Sequence, residues 1–329
     1  RSMEQSAVRD GVTAEEVKGI LLGMASGQET LLGYFRRFIR NFEKRVGINR
    51  TVGSLRAYSN AYSHIERFLQ AQYKLSDIPF SALDRSFIDK YDLYLRTERN
   101  LAPGTIINLT VQLKTIVGEA IADGIITASP FMGYEPVRPK HVQKYLTAEE
   151  LHRIMTTPLH RQTLYHVRDM FLFSCFTGIP YGDMRLLTKD NLCLAEDGIW
   201  WIKSARQKTK IEFEIPLLDL PLQILKKYSG TAPGDKLLPM YCNSTLNLYL
   251  KEIARICHID RPLVFHAGRH TYATEITLSH GVPLETVSRM LGHSQIETTQ
   301  IYAKVTDEKI DADTKALNRK ISERFSVVI

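Results

Sequence analysis

Apolar side chains at Leu31, Phe35, Phe38, Ile39 and Phe42 recur at three- and four-residue spacing, with Arg36, Arg37, Arg40 and Lys44 on the other faces. That period predicts an amphipathic helix. A second helix is predicted from about Gly53 to Gln72, with Tyr58, Tyr62, Ile65, Phe68 and Leu69 as its apolar stripe and Arg56 near its start. A third spans about Ser86 to Thr97. A fourth starts near Thr105 and stops at Gly124, where glycine favours a helix end. The fourth buries Leu109, Leu113, Ile116, Val117 and Ala120. Its polar face carries Thr105, Asn108, Gln112 and Thr115, uncharged side chains suited to a groove or a partner. Taken alone, the pattern is a four-helix bundle with solvated basic faces.

The stretch from Pro130 to Lys140 holds three prolines and a glycine, which excludes helix and marks a boundary. A capping box from Thr147 to Glu150 then opens another amphipathic helix, and Arg168 to Thr177 is strongly apolar. Alternation at Ile199–Lys203 and Ile211–Ile215 predicts a β-hairpin with Ala205–Lys210 at its turn. Helices follow near 219–228, 243–257, 266–280, 284–291 and 296–303, then a charged helix and an apolar tail, Phe325–Ile329. The expected fold class is mainly α with a small antiparallel β-sheet. The expected organisation is a linker or truncated segment at 1–28 (with a capping-box pattern at Thr13–Glu16), a helical-bundle domain at 29–133, a linker at 134–145, an α+β domain at 146–310 and a tail helix or docking segment at 311–329.

Composition narrows the partners. The net charge is +7 and the pI about 9.1, which suits a polyanion, because each Lys or Arg set against a phosphate releases condensed counterions. No apolar run approaches the length of a membrane span, and no secretory leader is evident. Cys175, Cys193, Cys242 and Cys257 form no metal-ligand spacing, so they read as small buried hydrophobes in a reducing cytoplasm. No Gly-Lys dipeptide supports a P-loop and no carboxylate cluster supports a two-metal site, so neither metal nor other cofactor is expected.

His266 and Arg269 share one face at a predicted helix start, where backbone N–H groups and a guanidinium can hold phosphate oxygens. Alone, this is an ordinary helix start with a surface Arg. Gly292 can end a helix in a left-handed turn that leaves His293 on a corner, and Tyr302 follows on a short helix that can fold back toward it. Alone, Tyr302 is a buried tyrosine satisfied by a loop histidine.

Together, His266, Arg269, His293 and Tyr302 stand in the order and spacing of the tyrosine site-specific recombinases, and Arg269–Val305 resembles that family's signature nearly throughout. The resemblance covers Thr147 to about Ile310, and more weakly the helical domain before it. It implies a core-type DNA-binding domain followed by a catalytic domain, and a metal- and ATP-independent strand transfer that integrates a mobile element. Tyr302 is then the nucleophile forming a 3′-phosphotyrosine, and Arg269, His266 and His293 stabilise the charged transition state. Lys208 in the hairpin turn is the general acid, and Asp183 orients a cation or histidine.

The chain departs from the pattern at Pro180, where the family places its first arginine, as does a branch of mobile-element integrases. Arg206 is the first candidate to fill the gap, with Arg185 and Arg168 behind it. The resemblance further implies paired core-type duplex sites, a homo-tetramer on DNA formed from monomers in solution, Holliday-junction intermediates, two domains clamping the duplex, and work in the bacterial cytoplasm at the nucleoid. Arg36, Arg37, Arg40, Arg56, Thr105, Asn108, Gln112 and Lys140 are the expected DNA contacts. The apolar tail suits either docking on a neighbour or burial on its own domain. Two other readings stay open: a non-catalytic DNA-binding relative disabled by Pro180, and a type IB topoisomerase-like relaxing enzyme.

Overall fold

The computed structural model describes residues 18, 27–138, 144–302 and 307–322. The chain divides into two compact units, Arg1–His141 and Val142–Ile329. Among the described residues no helix is long and apolar enough to cross a membrane. The capping-box pattern at Thr13–Glu16, Lys140 and the tail Phe325–Ile329 lie outside the described residues.

The first unit is a bundle of α1 (Leu31–Glu43), α2 (Val52–Phe68), α3 (Arg85–Thr97) and α4 (Pro103–Ala122). The apolar stripes converge on one core containing Phe35, Ile65, Phe68, Phe87, Tyr91, Leu113 and Ile116. Each such side chain contributes ~1.5–3 kcal/mol on full burial. The helix starts follow their sequence. Thr51 accepts from Ser54 N, Asp84 accepts from Phe87 N, and Pro103 occupies the first turn of α4, where its missing N–H costs nothing. Past Phe68, the predicted second helix widens into a π-turn over Leu69–Tyr73.

The second unit carries α5 (Ala148–Thr156), α6 (Gln162–Thr177), the single turn α7 (Tyr181–Met184), a three-stranded sheet, α8 (Asp219–Lys227) and α9 (Asn243–Ile256). Then come α10 (Ala267–Thr271), α11 (Leu284–Leu291), the single turn α12 (Glu297–Gln300) and α13 (Asp307–Ser322). The Thr147–Glu150 capping box forms as expected. Helix α6 is central, with ten buried residues along its length. The sheet, β1 (Leu192–Leu194), β2 (Trp200–Ala205) and β3 (Glu212–Pro216), is antiparallel throughout, with Ile202 opposite both Leu192 and Ile215. The expected hairpin is β2–β3. Strand β1 is an addition that its three residues do not announce.

Two expectations are corrected. The helix predicted over 266–280 breaks into α10, a π-turn at Tyr272–Thr277 and a 3₁₀ turn at Leu278–His280. The cysteines are not uniformly buried. Cys175 and Cys257 are, but Cys242 is exposed at the cap of α9, where Ser244 and Thr245 lower its thiol to about 7.

Candidate active site

The site is assembled by two glycine turns. Gly178 ends α6 at φ +70°, and a Cβ there would lie 2.5 Å from Tyr272 Cδ1. Gly292 ends α11 at φ +63°, and a Cβ there would lie 2.9 Å from Arg206 Cγ. Both need a left-handed backbone and a bare Cα. The turns free the carbonyls of Gly178 and Leu291, and Arg269 takes both: Nη1 donates to Gly178 O at 2.9 Å and Nη2 to Leu291 O at 2.7 Å. Nη2 also lies 2.8 Å from His293 Nε2. Arg269 is 3% exposed, and burial together with Arg206 pushes its pKa down to about 10.

Arg206 leaves the end of β2 and reaches the same place. Its Nη1 donates to Leu291 O at 3.0 Å, and its Nε lies 2.7 Å from Asp183 Oδ2. That last contact is an ion pair rather than a well-aimed hydrogen bond, since the N–H does not point along it. Asp183, on α7, also accepts from Gln207 N at 2.8 Å, so one buried carboxylate fixes both the Arg206 side chain and the start of the hairpin turn. Pro180 begins α7, where its carbonyl accepts from Asp183 and Met184 and its ring offers no cation.

The other two candidates for the missing arginine stand elsewhere. Arg168 packs over Tyr165, contacts the carbonyls of Met155 and Thr157, and lies 3.7 Å from Asp169. Arg185 is exposed just past α7. Lys208 sits exposed at the tip of a turn closed by Arg206 N to Ile211 O at 2.8 Å.

Tyr302 is 6% exposed and packs with Tyr272, Val287 and Leu291. Its ring lies parallel to that of His293, with centroids 6.2 Å apart and planes at 8°. Its phenol is among the influences that keep Arg269 protonated. His270, a residue the sequence did not single out, stands edge-on to Tyr302 at 5.0 Å and to His266 at 4.9 Å. His266 is exposed as a residue, with its ring against that of His270. Its pKa is lowered by burial and by Arg269, Arg206 and Lys144. His270 and His293 are both held at about 4, first by burial, then by neighbouring cations and, for His270, by His266. All three imidazoles are therefore neutral near pH 7.

The electrostatics of this cluster set its chemistry. Among the described residues one carboxylate, Asp183, pairs with Arg206, while Arg269 donates to two neutral carbonyls and faces the His293 imidazole, with the Tyr302 phenol also acting on it. Burying an excess positive charge is costly unless an anion completes the site. A phosphodiester oxygen supplies one charge of the right sign.

In the first unit, Arg40, Arg56, Thr105 and Asn108 are exposed as expected. Arg36 and Arg37 are exposed but engaged, Arg36 with the Tyr62 hydroxyl at 2.5 Å and Arg37 with Glu29 at 3.0 Å. Gln112 is half-buried, and among the described residues its Oε1 finds no hydrogen-bond partner.

Residues 144–309 match the phage integrase family model, and residues 30–136 match the phage integrase SAM-like domain. The tyrosine recombinase XerD of Listeria monocytogenes is 25% identical over 273 residues, covering 78% of this chain and 89% of the relative. Among solved structures, the Tn1549 transposon integrase in complex with transposon right end DNA aligns with a TM-score of 0.67 at 19% identity, covering 88% of this chain and all of that one. A lambda integrase dimer bound to a COC′ core site aligns with a TM-score of 0.68 at 18% identity, covering 84% of this chain and 96% of that one. The fold is theirs, and with the family model matched from the start of the second unit to past Tyr302, the chain belongs to the phage integrase family of tyrosine site-specific recombinases, enzymes of DNA strand transfer.

Proposed function

We propose that the chain performs site-specific recombination for a mobile element, cutting and rejoining duplex DNA through a 3′-phosphotyrosyl link at Tyr302. The observation that carries this reading is the pair of guanidiniums, Arg206 and Arg269, that meet at Leu291 O near Tyr302, with one carboxylate, Asp183, paired to them among the described residues. In this reading Arg206 does the work of the arginine missing at Pro180.

The phenolic oxygen of Tyr302 attacks the scissile phosphorus and the 5′ oxygen leaves, so one phosphodiester is exchanged for another and no nucleotide is consumed. Arg269 and Arg206 bind the non-bridging oxygens, whose charge grows in the transition state. Lys208 delivers a proton to the leaving 5′ oxygen. His270 packs edge-on against the Tyr302 ring and is neutral near pH 7, so it is the imidazole placed to take the phenolic proton, with His266 packed behind it. His293 accepts a hydrogen bond from Arg269 at Nε2 in this arrangement, so it aligns the guanidinium rather than donating to the phosphate. Asp183 holds Arg206 in place. Attack by a 5′ hydroxyl from a second duplex runs the same steps in reverse.

The domain reading is 29–133 for DNA binding and 146–310 for catalysis. Arg40, Arg56, Thr105 and Asn108 contact the duplex, with Arg36 and Arg37 available once they exchange Tyr62 and Glu29 for phosphate. Assembly as a tetramer on paired sites is part of the same reading, supported by a lambda integrase tetramer bound to a Holliday junction. Acting on a bacterial chromosome, the protein works in the cytoplasm at the nucleoid.

The test is to select a binding site from random-sequence DNA, place two copies on a supercoiled plasmid, and follow the products. Recombinants and Holliday junctions support the proposal. Relaxation independent of the sites indicates a topoisomerase, and binding without any strand exchange indicates a non-catalytic relative.

A further inference from the structure

Thr299 is fully buried on α12 and bonded both to His293 and to the backbone of Tyr302. Its Oγ1 lies 2.7 Å from His293 Nδ1, and its backbone carbonyl accepts from Tyr302 N at 2.9 Å. We propose that Thr299 is a positioning residue that ties the tautomer of His293 to the seating of Tyr302. The inference rests on the roles proposed above for those two residues.

The tautomer follows from the donors around the ring. Arg269 Nη2 stands 2.8 Å from His293 Nε2, and a guanidinium donates but never accepts. Nε2 must therefore present its lone pair. A neutral imidazole carries one proton, so that proton sits on Nδ1, where Thr299 Oγ1, 2.7 Å away, accepts it. The lowered pKa of His293 agrees with a neutral ring. Were the proton on Nε2 instead, it would face the Arg269 N–H head-on, and Arg269 would lose His293 as an acceptor.

Thr299 makes this arrangement conditional on the nucleophile. The same residue that receives Nδ1–H also holds the backbone of Tyr302, three residues on, and the two rings lie parallel at 6.2 Å. Movement of the α12 turn away from the site withdraws the Nδ1 acceptor and the tyrosine together. Arg269 is thus aligned by His293 when Tyr302 is seated, and the cradle and nucleophile assemble as one unit.

The test uses the full chain with ¹⁵N-labelled histidine, assigning His293 by loss of its signals in His293→Gln. The nitrogen shifts report the tautomer, and trapped adduct formation on a nicked duplex reports the rate. Thr299→Val keeps the shape and removes the hydroxyl, whereas Thr299→Ser keeps the hydroxyl. The expected result is an Nδ1–H tautomer in the wild type and in Thr299→Ser. In Thr299→Val we expect a shift toward Nε2–H with adduct formation slowed on the order of tenfold or more, a fraction of what an acid–base group contributes. An Nε2–H tautomer in the wild type overturns the proposal without any variant. So does an unchanged tautomer or rate in Thr299→Val, or an equal loss in Thr299→Ser. If adduct forms in Tyr302→Phe, the nucleophile assignment fails instead, and the tautomer measurement still stands on its own.

Discussion

Arg206 and Arg269 donate to the same acceptor, the carbonyl oxygen of Leu291, at 3.0 and 2.7 Å. One comes from the end of a strand and the other from a helix, and the left-handed turn at Gly292 exposes the carbonyl that brings them together. Most consequences of the structure trace to this shared oxygen.

The first concerns the arginine absent at Pro180. Arg206→Ala should slow single-turnover cleavage by about 10²–10³-fold, the usual cost of losing one donor to a developing oxyanion. Arg206→Lys should restore little, because a single ammonium on a flexible stem does not reproduce a planar fork that spans Asp183 and Leu291. Cleavage at the wild-type rate in Arg206→Ala would pass the role to another cation.

Gly292→Ala tests the turn itself. The added Cβ meets Arg206 Cγ at 2.9 Å on a backbone at φ +63°. Adopting that conformation costs a non-glycine residue roughly 1–2 kcal/mol. We expect a lower melting temperature and a cleavage defect larger than the stability loss explains, because Arg206 is pushed aside. Thermal unfolding and cleavage rate measured on the same variant separate the two effects.

How much of this was legible beforehand depends on what kind of interaction is involved. The stripes of α1 to α4 and the capping box at Thr147 are local, period-driven features, and the sequence displays them. Arg206 was reachable because it stands two residues from the hairpin lysine. Thr299 and His270 were not, since their partners are fixed by side-chain packing across irregular turns that no periodicity encodes. The π-turn at Tyr272–Thr277 shifts the hydrogen-bond pattern without changing residue type, and β1 is too short to show alternation. Cys242 escapes the rule that lone cysteines are buried because it caps a helix at the surface.

Lys208 sits exposed at the tip of the hairpin turn, as a residue that meets DNA should. If it protonates the leaving oxygen, Lys208→Ala should be nearly inactive on ordinary DNA and recover on a substrate with sulfur bridging the scissile 5′ position, since a thiolate needs no proton to depart. Recovery absent with the sulfur substrate would assign Lys208 to binding rather than proton transfer.

The neutral histidines give stability a sign with pH. Folded His270 and His293 titrate near 4, whereas unfolded histidine titrates near 6.5. Between those values the unfolded chain binds more protons, so stability is full above pH 6.5 and falls as pH drops toward 4. Urea unfolding at pH 7 and pH 5 should show the loss, and His270→Asn should lose less between the two. An equal drop in the variant would place the titration elsewhere.

Tyr302 is the residue that becomes bonded to DNA in this mechanism. A nicked duplex that loses its 5′ fragment after cleavage should trap the protein, and protease digestion with mass spectrometry should find the nucleotide on the peptide carrying Tyr302, attached through a 3′ phosphate. Tyr302→Phe should give no such species. Adduct on any other residue, or on the Phe variant, would contradict the account.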